Sequence, residues 1–307
     1  LLDVNRYHPT TESEDSWAGA RAASEVGILP SSDKEVVMDQ GLVFRPGTLD
    51  EAIFRGVVHG NEYRIPERLR PDDLVIDIGA HVGGFSYLML TRGARRVYSF
   101  EVEPGNFAVC DRNLAPFGDR SVRESKAVWR SDVPPARLGY SYSNDPSNTG
   151  GGGVLWGDAS SSFETIALDE IIARVQEETG CSRIAWLKTD CECAEFPILL
   201  TSKSLACVDR IVGEFHELAS PRMPSPIPET SRIPGVDSFS IEVLKSHLEG
   251  LGFQFEFVYH GASHMGLFWA THREARPCLR NPSAPARWLR AAWTRLRGQR
   301  TQRSAAA

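Results

Sequence analysis

The sequence predicts an α/β fold: a mostly parallel sheet with helices on both faces, closed by an antiparallel C-terminal hairpin. Three observations carry this expectation. Short apolar runs rich in Val, Ile and Leu alternate with helical stretches from residue 74 to residue 213. Two final strand-like runs, 253–259 and 265–271, are separated only by His260-Gly261-Ala262-Ser263-His264, too short a link for anything but antiparallel neighbours. Glycine-bearing or acidic turns follow several of the strand ends, as expected where strands feed helices in such a sheet.

Taken in order, residues 1–35 are polar, acidic and aperiodic, and read as an irregular arm. Residues 36–70 hold Val36-Val37-Met38, a turn at Arg45-Pro46-Gly47 and a helical stretch 49–58, together a cap over the binding edge. The run Leu74-Val75-Ile76, with Ile78 beyond the acid, is a strand covered on both faces. A helix is expected over 85–91, a second strand over 96–100, and a helix over 104–114 opened by Pro104. Residues 121–128 fit a third strand. The Gly-, Ser- and Asn-rich stretch 139–162 reads as a mobile loop without a core. Then follow a helix over 166–178, a fourth strand over 182–188, a helix from Phe196, a fifth strand over 208–213, and a helix over 238–249 before the hairpin. The domain division is therefore 1–70 as arm and cap, 71–272 as the main domain, and 273–307 as an Arg-rich tail.

Composition narrows the function classes. At 307 residues the chain suits one large α/β domain with extensions. No run approaches the ~20 apolar residues that cross a bilayer, and the first residues lack the basic start and apolar core of a signal peptide. The six cysteines form no C-x-x-C pair, so reduced thiols and a cytoplasmic setting are expected, with no metal centre. Residues 273–303 carry nine Arg and one acid, a net of +8, which leaves −14 for the rest of a chain totalling −6. So acidic a body repels nucleic acid at long range. In the tail, Trp288, Leu289, Ala292, Trp293 and Leu296 share one helical face, which suits docking on the chain's own acidic surface or a peripheral contact.

The chemistry concentrates in residues 74–104. Asp77-Ile78-Gly79-Ala80-His81-Val82-Gly83 links a buried strand to a helix, and Glu101 ends the next strand 24 residues beyond Asp77. A side-chain-poor turn lets a ligand approach the backbone at a helix start. An acid near that distance can hold both hydroxyls of a ribose. The glycines at 79, 83 and 84 do not make the G-x-G-x-x-G of a pyrophosphate site, because His81 stands at its second glycine. An acid before the turn, with no basic residue in it, suits a ligand with an ammonium group and no phosphate. S-adenosyl-L-methionine fits this description.

Four blocks resemble the FkbM family of class I S-adenosylmethionine-dependent methyltransferases. They are EYR (62–64) with VIDIGAHVGGFS (75–86), YSFEVEPGNF (98–107) with Asn113-Leu114, LKTDCECAEFPIL (187–199), and IVGEFHEL (211–218). The resemblance implies a seven-stranded Rossmann-like sheet and methyl transfer, mostly to hydroxyl oxygens of sugars or secondary metabolites. It assigns Tyr63, Asp77, Gly79, His81 and Gly83 to the cofactor, Glu101 to the ribose hydroxyls, Val102 to the adenine and Asp190 to the region of the methyl group. His81 stands where the family has Asn, Val102 where it has Pro, and Cys193 where it has Gly. A hydroxyl acceptor must lose a proton. His216 is the first candidate base, oriented by Glu214 or Glu217, with Asp190 the second. Cys191 and Cys193 make a poor zinc signature, and His260 and His264 read as surface residues. The expected activity is O-methylation of a small hydroxylated acceptor, such as a sugar or amino sugar in natural-product or glycan biosynthesis. A homo-oligomer is compatible with the sequence. The competing readings are a cofactor-binding module impaired at Cys193 and, less well supported, a nicotinamide-dependent oxidoreductase.

Overall fold

The computed structural model describes residues 36–37 and 41–279. The predicted N-terminal arm and the amphipathic face around Trp288 and Trp293 lie outside the described residues. A short antiparallel pair, β1 (Val36–Val37) and β2 (Val43–Phe44), precedes helix α1 (Asp50–Arg55), which continues as a π-helical turn over Gly56–Gly60. The main sheet begins with β3 (Leu74–Ile78), followed by α2 (Gly84–Thr91), β4 (Arg96–Phe100), α3 (Pro104–Leu114) and β5 (Ser121–Glu124). Next come β6 (Ala127–Trp129), β7 (Arg137–Ser141), β8 (Gly153–Ala167) and α4 (Leu168–Thr179). The chain then returns to the main sheet through β9 (Ile184–Thr189), α5 (Glu195–Thr201), β10 (Val208–His216), α6 (Ile241–Gly250) and the hairpin β11 (Phe253–Tyr259) and β12 (Met265–His272).

The seven strands run in the order β11-β12-β10-β9-β3-β4-β5. All pairs from β10 to β5 are parallel, and β12 lies antiparallel to both β10 and β11. This is the predicted sheet. It reverses direction of growth at β3, which has β4 on one side and β9 on the other. In such a sheet the crevice beyond the strand C-termini at that point is where a ligand fits.

Alternation along β3 explains why it sits at the centre. Leu74, Ile76 and Ile78 pack with Phe196, Ile171 and Ile172 on one face, while Val75 packs with Phe85, Leu88 and Met89 on the other. Each such side chain contributes about 1.5–3 kcal/mol on burial. Asp77 shares the Val75 face, and there α2 offers Ser86, whose hydroxyl donates to Asp77 Oδ2 at 2.6 Å. The cap residues Val57, Tyr63, Ile65 and Leu69 join the same cluster, so the segment before residue 71 is continuous with the main body's core. At α3, Glu103 accepts from the Asn106 backbone N–H at 2.6 Å and Pro104 fills the first turn, as its missing N–H permits.

Two expectations need correcting. The predicted third strand splits: Ser121–Glu124 edges the main sheet, but Ala127–Trp129 enters a second sheet of order β6-β8-β7. The stretch read as a mobile loop supplies the other two strands of that sheet, leaving only 142–152 between them. Its apolar residues are few but well placed. Tyr140 and Val154 are buried, and Tyr140 meets Phe163 edge-on at 5.7 Å. Glycine and serine weaken a strand without preventing one where the ladder satisfies the backbone. β10 also extends beyond its predicted end to His216. The start of the tail is pinned by Arg276, whose guanidinium reaches Asp72 at 2.6 Å, Asp73 at 2.9 Å and Asp209 at 3.4 Å. Among the described residues no helix is long and apolar enough to cross a membrane.

Candidate functional site

A cavity of about 580 Å³ opens beyond the C-terminal ends of β3, β4, β9 and β10. Its walls include Gly79, His81, Glu101, Val102, Tyr63 and Asp190, and also Glu214 and His216. Eight of the ten predicted site residues therefore meet in one space. Asp77 and Gly83 do not line it.

Asp77 lies beneath the turn, completely buried. Its Oδ1 is 3.5 Å from the Nζ of Lys188, and the same ammonium donates to the Gly79 carbonyl at 2.5 Å and lies 3.7 Å from Asp190 Oδ2. Burial alone would depress the Lys188 ammonium, but the Asp77 and Asp190 carboxylates more than offset it and push it up to about 12. The expectation that Asp77 meets a ligand's ammonium directly is corrected here: an internal cation already neutralises it. Lys188 escaped the sequence reading, although a charge closing the apolar run Ile184–Leu187 was the available signal.

The turn itself is closed to ligands through its first amides. The N–H groups of Gly79 and Ala80 both donate to the Phe100 carbonyl at 3.0 Å, and that of His81 to Glu101 Oε2 at 2.7 Å. Gly79 has φ +73, and a Cβ on it would stand 1.9 Å from the Asp190 carbonyl oxygen. Glycine is required there for both reasons. Gly213 in β10 is a second such position, where a Cβ would meet the Thr189 carbonyl oxygen at 1.9 Å.

Glu101 also accepts from the Glu103 N–H at 2.8 Å. Burial pushes its carboxyl up to about 7 against the pull of these two amides. His81 takes the left-handed backbone, φ +52, that Asn or Gly adopts more readily. Burial lowers it to about 4, so its imidazole is neutral. Thr149 donates its one hydroxyl proton to Asp50 Oδ1 at 2.6 Å and receives His81 Nε2 at 2.7 Å. Nε2 therefore carries the proton, and Nδ1 is a buried acceptor with no hydrogen-bond partner among the described residues. Asp50 is clamped by Arg45 at 2.8 and 2.9 Å, and Asn106 binds the Thr149 carbonyl at 2.9 Å. The cap, the cofactor-side turn and the β7–β8 link are thus held together at one edge of the cavity.

The cavity is also carboxylate-rich. Tyr63 donates to Asp190 Oδ2 at 2.9 Å. Burial would raise Asp190, yet Lys188 first, then His216 and Tyr63, hold it below the usual carboxylate range. Glu62 stands at the rim, where loss of water and then the Asp190 and Glu214 carboxylates push it up to about 7. Glu192 also lines the cavity and is raised to about 7 by burial, against the pull of His216. Glu62 was not singled out from the sequence as a site residue, whereas Glu192 was read there with Asp190 as one of the converging acidic strand ends.

His216 is buried and bracketed by carboxylates, with Nε2 3.4 Å from Glu192 Oε2 and Nδ1 3.5 Å from Glu195 Oε1. Burial would lower its pKa, but Glu195, then Glu192 and Glu214, push it up to about 10. At neutral pH it is an imidazolium, the wrong state for the base expected there. The expected orienting groups are corrected too. Glu214 instead pairs with His260 Nδ1 at 3.1 Å, which brings His260 to the cavity mouth rather than a bare surface. Glu217 ties Ser220, Ile241 and Tyr259 together through its carboxylate. Cys193 has φ +73 and Glu192 φ +54. Cysteine therefore keeps the left-handed backbone that glycine would take at that motif position, at a cost of roughly 1–2 kcal/mol.

The model of the methyltransferase FkbM domain matches residues 77–255, more than half of the chain. No protein with a curated description matches. Among solved structures, a methyltransferase FkbM from Methylobacillus flagellatus aligns at 11% identity and TM-score 0.40, over 67% of this chain and 44% of that one. TrmK from M. capricolum, in complex with S-adenosylhomocysteine, aligns at 8% identity and TM-score 0.38, over 72% and 70%. A putative RNA methyltransferase from Pyrococcus horikoshii aligns at 12% identity and TM-score 0.35, over 72% and 84%.

Proposed function

Because the chain belongs to the FkbM methyltransferase family, with S-adenosylmethionine as its cofactor, we propose that it methylates a hydroxyl oxygen of a small polyhydroxylated acceptor, a sugar or amino sugar. The observation that carries this reading is one cavity lined both by Glu101, Val102 and the neutral His81 and by the carboxylates of Glu62, Glu192 and Glu214. A carboxylate accepts hydrogen bonds from the hydroxyls of a polyol, and an ammonium of an amino sugar adds charge pairing.

On the donor side, Glu101 is suited to accept from the two ribose hydroxyls, His81 Nδ1 to accept one further hydrogen bond, and Asp190 to face the cationic end of the cofactor. Lys188 and Asp77 hold the turn from beneath. When bound, S-adenosylmethionine supplies an electrophilic methyl carbon whose bond to sulfur breaks as the bond to the acceptor oxygen forms. The acceptor's proton must go to this chain. Glu192 is the group we assign, because it lines the cavity and is held near neutrality, where a base is most effective. The proton then leaves from Glu192 to water. The reading as an impaired binding module rested on Cys193, which stands in the left-handed backbone, φ +73, that glycine adopts freely.

The test uses S-adenosylmethionine labelled in the methyl group and a panel of hexoses, hexosamines and their methyl glycosides. Wild type is expected to give an O-methylated product. Glu192→Gln is expected to lower kcat by roughly 10²–10⁴-fold with donor affinity unchanged. Labelled product on nitrogen, or full turnover in Glu192→Gln, would remove the corresponding part of the assignment.

A further inference from the structure

Behind Glu192 lies a buried acid that the reaction as described leaves without a task. Glu195 opens α5 and is fully buried. Its Oε1 accepts the Cys191 backbone N–H at 2.7 Å and lies 3.5 Å from His216 Nδ1. The opposite ring nitrogen faces Glu192 Oε2 at 3.4 Å. The three side chains form a row running from the interior to the cavity, with side-chain exposures of 0%, 2% and 30% for Glu195, His216 and Glu192.

We propose that Glu195 is a positioning residue for methyl transfer: it holds His216 as the cationic middle of a carboxylate–imidazolium–carboxylate row, and through that cation keeps Glu192 ionised and turned to the acceptor. The inference rests on the assignment of Glu192 as proton acceptor.

A buried carboxylate without a cation is strongly disfavoured, and so is a buried imidazolium without acceptors at both nitrogens. Here the charges face one another at 3.4 and 3.5 Å, an ion pairing across both ring nitrogens rather than hydrogen bonds. Glu195 is the foremost of the groups that raise His216, ahead of Glu192 and Glu214. Other titratable neighbours are Cys191, whose thiol burial and then Glu195 hold protonated, Tyr140 beside Glu192, Asp190, which His216 helps to keep ionised, and His260 and His264 of the hairpin, whose protonation His216 opposes. The consecutive left-handed residues Glu192 and Cys193 allow six residues of chain to place Asp190 and Glu192 at the cavity and Glu195 behind them. Strain of this kind persists where the surroundings over-determine it. Gly153 of β8 closes over the same turn, where a Cβ would come within 2.9 Å of the Glu192 carbonyl oxygen.

The experiment compares wild type, Glu195→Gln and Glu195→Asp. His216 and Glu192 are titrated by NMR in protein carrying labelled His or labelled Glu side-chain carbons, without donor or acceptor. In Glu195→Gln the His216 titration is expected to fall by about three pH units or more, to below that of Glu192. Glu192 then loses the cation beside it, and its own titration rises even though the Glu195 charge, which opposes its ionisation directly, is gone. The acidic limb of kcat/KM, read with the sugar that gives labelled product above, should move up with it by about one unit. S-adenosylhomocysteine affinity should not change. Glu195→Asp keeps the charge and should retain the wild-type limb. An unmoved His216 titration in Glu195→Gln, or an unmoved acidic limb, overturns the proposal. So does a wild-type His216 that titrates below pH 8, a result that requires no variant to fold. A wild type that yields no labelled product overturns the methyl-transfer reading instead, while the two titrations still judge the row by itself.

Discussion

Lys188→Met is expected to cost about 3–5 kcal/mol of folding stability, the range seen when one partner of a buried ion pair is removed. Methionine nearly matches the length of the lysine stem, so the loss is chiefly electrostatic. Asp77 is completely buried, and its Oδ1 has Lys188 at 3.5 Å and no hydrogen-bond partner. Asp190 loses the foremost group that keeps it ionised. The carbonyls of Ile78 and Gly79 also lose a donor, at 3.3 and 2.5 Å. Urea denaturation gives the stability change. A loss below 1 kcal/mol would mean that the ammonium is not what holds the two acids together.

Gly79→Ala is expected to be comparably severe. Left-handed backbone costs a non-glycine residue about 1–2 kcal/mol, and overpacking typically adds about 1–3 kcal/mol. Here the added atom would press on backbone, the Asp190 carbonyl at 1.9 Å, which cannot rotate away as a side chain could. Either the turn or the β9 end must move, and both border the cavity. The expected result is a roughly 2–5 kcal/mol loss of stability, together with loss of measurable cofactor binding in the fraction that folds. A variant of normal stability and affinity would show that the turn and the β9 end are not in that contact.

The β3–α2–β4 unit was legible because its signals are local. An unbroken apolar run, a glycine turn and an acid at the next strand's end lie within 31 residues. The antiparallel hairpin was legible for the same reason: its five-residue link leaves one arrangement. The β7–β8 pair was hidden because Gly and Ser dominate its composition, and its described apolar residues Leu138, Tyr140, Val154, Phe163 and Ile166 are few. The charge states were hidden more deeply. His216 reads as a base in the sequence, since its unperturbed pKa is near neutrality. Its actual state depends on Glu192 and Glu195, more than twenty positions earlier, which only the fold brings to its two nitrogens. Asp77 is likewise recognisable as an acid before a glycine turn, while its neutralisation by Lys188 is a contact across 111 residues.

The central claim is that this cavity takes the methyl donor, with Glu101 as one of its anchors, and calorimetric titration of the wild-type protein with S-adenosylhomocysteine tests it most directly. One equivalent should bind, and Glu101→Ala should weaken binding by roughly 10–100-fold, the loss expected for hydrogen bonds to a charged group. Saturable binding of NAD, with no heat from S-adenosylhomocysteine, would contradict the account.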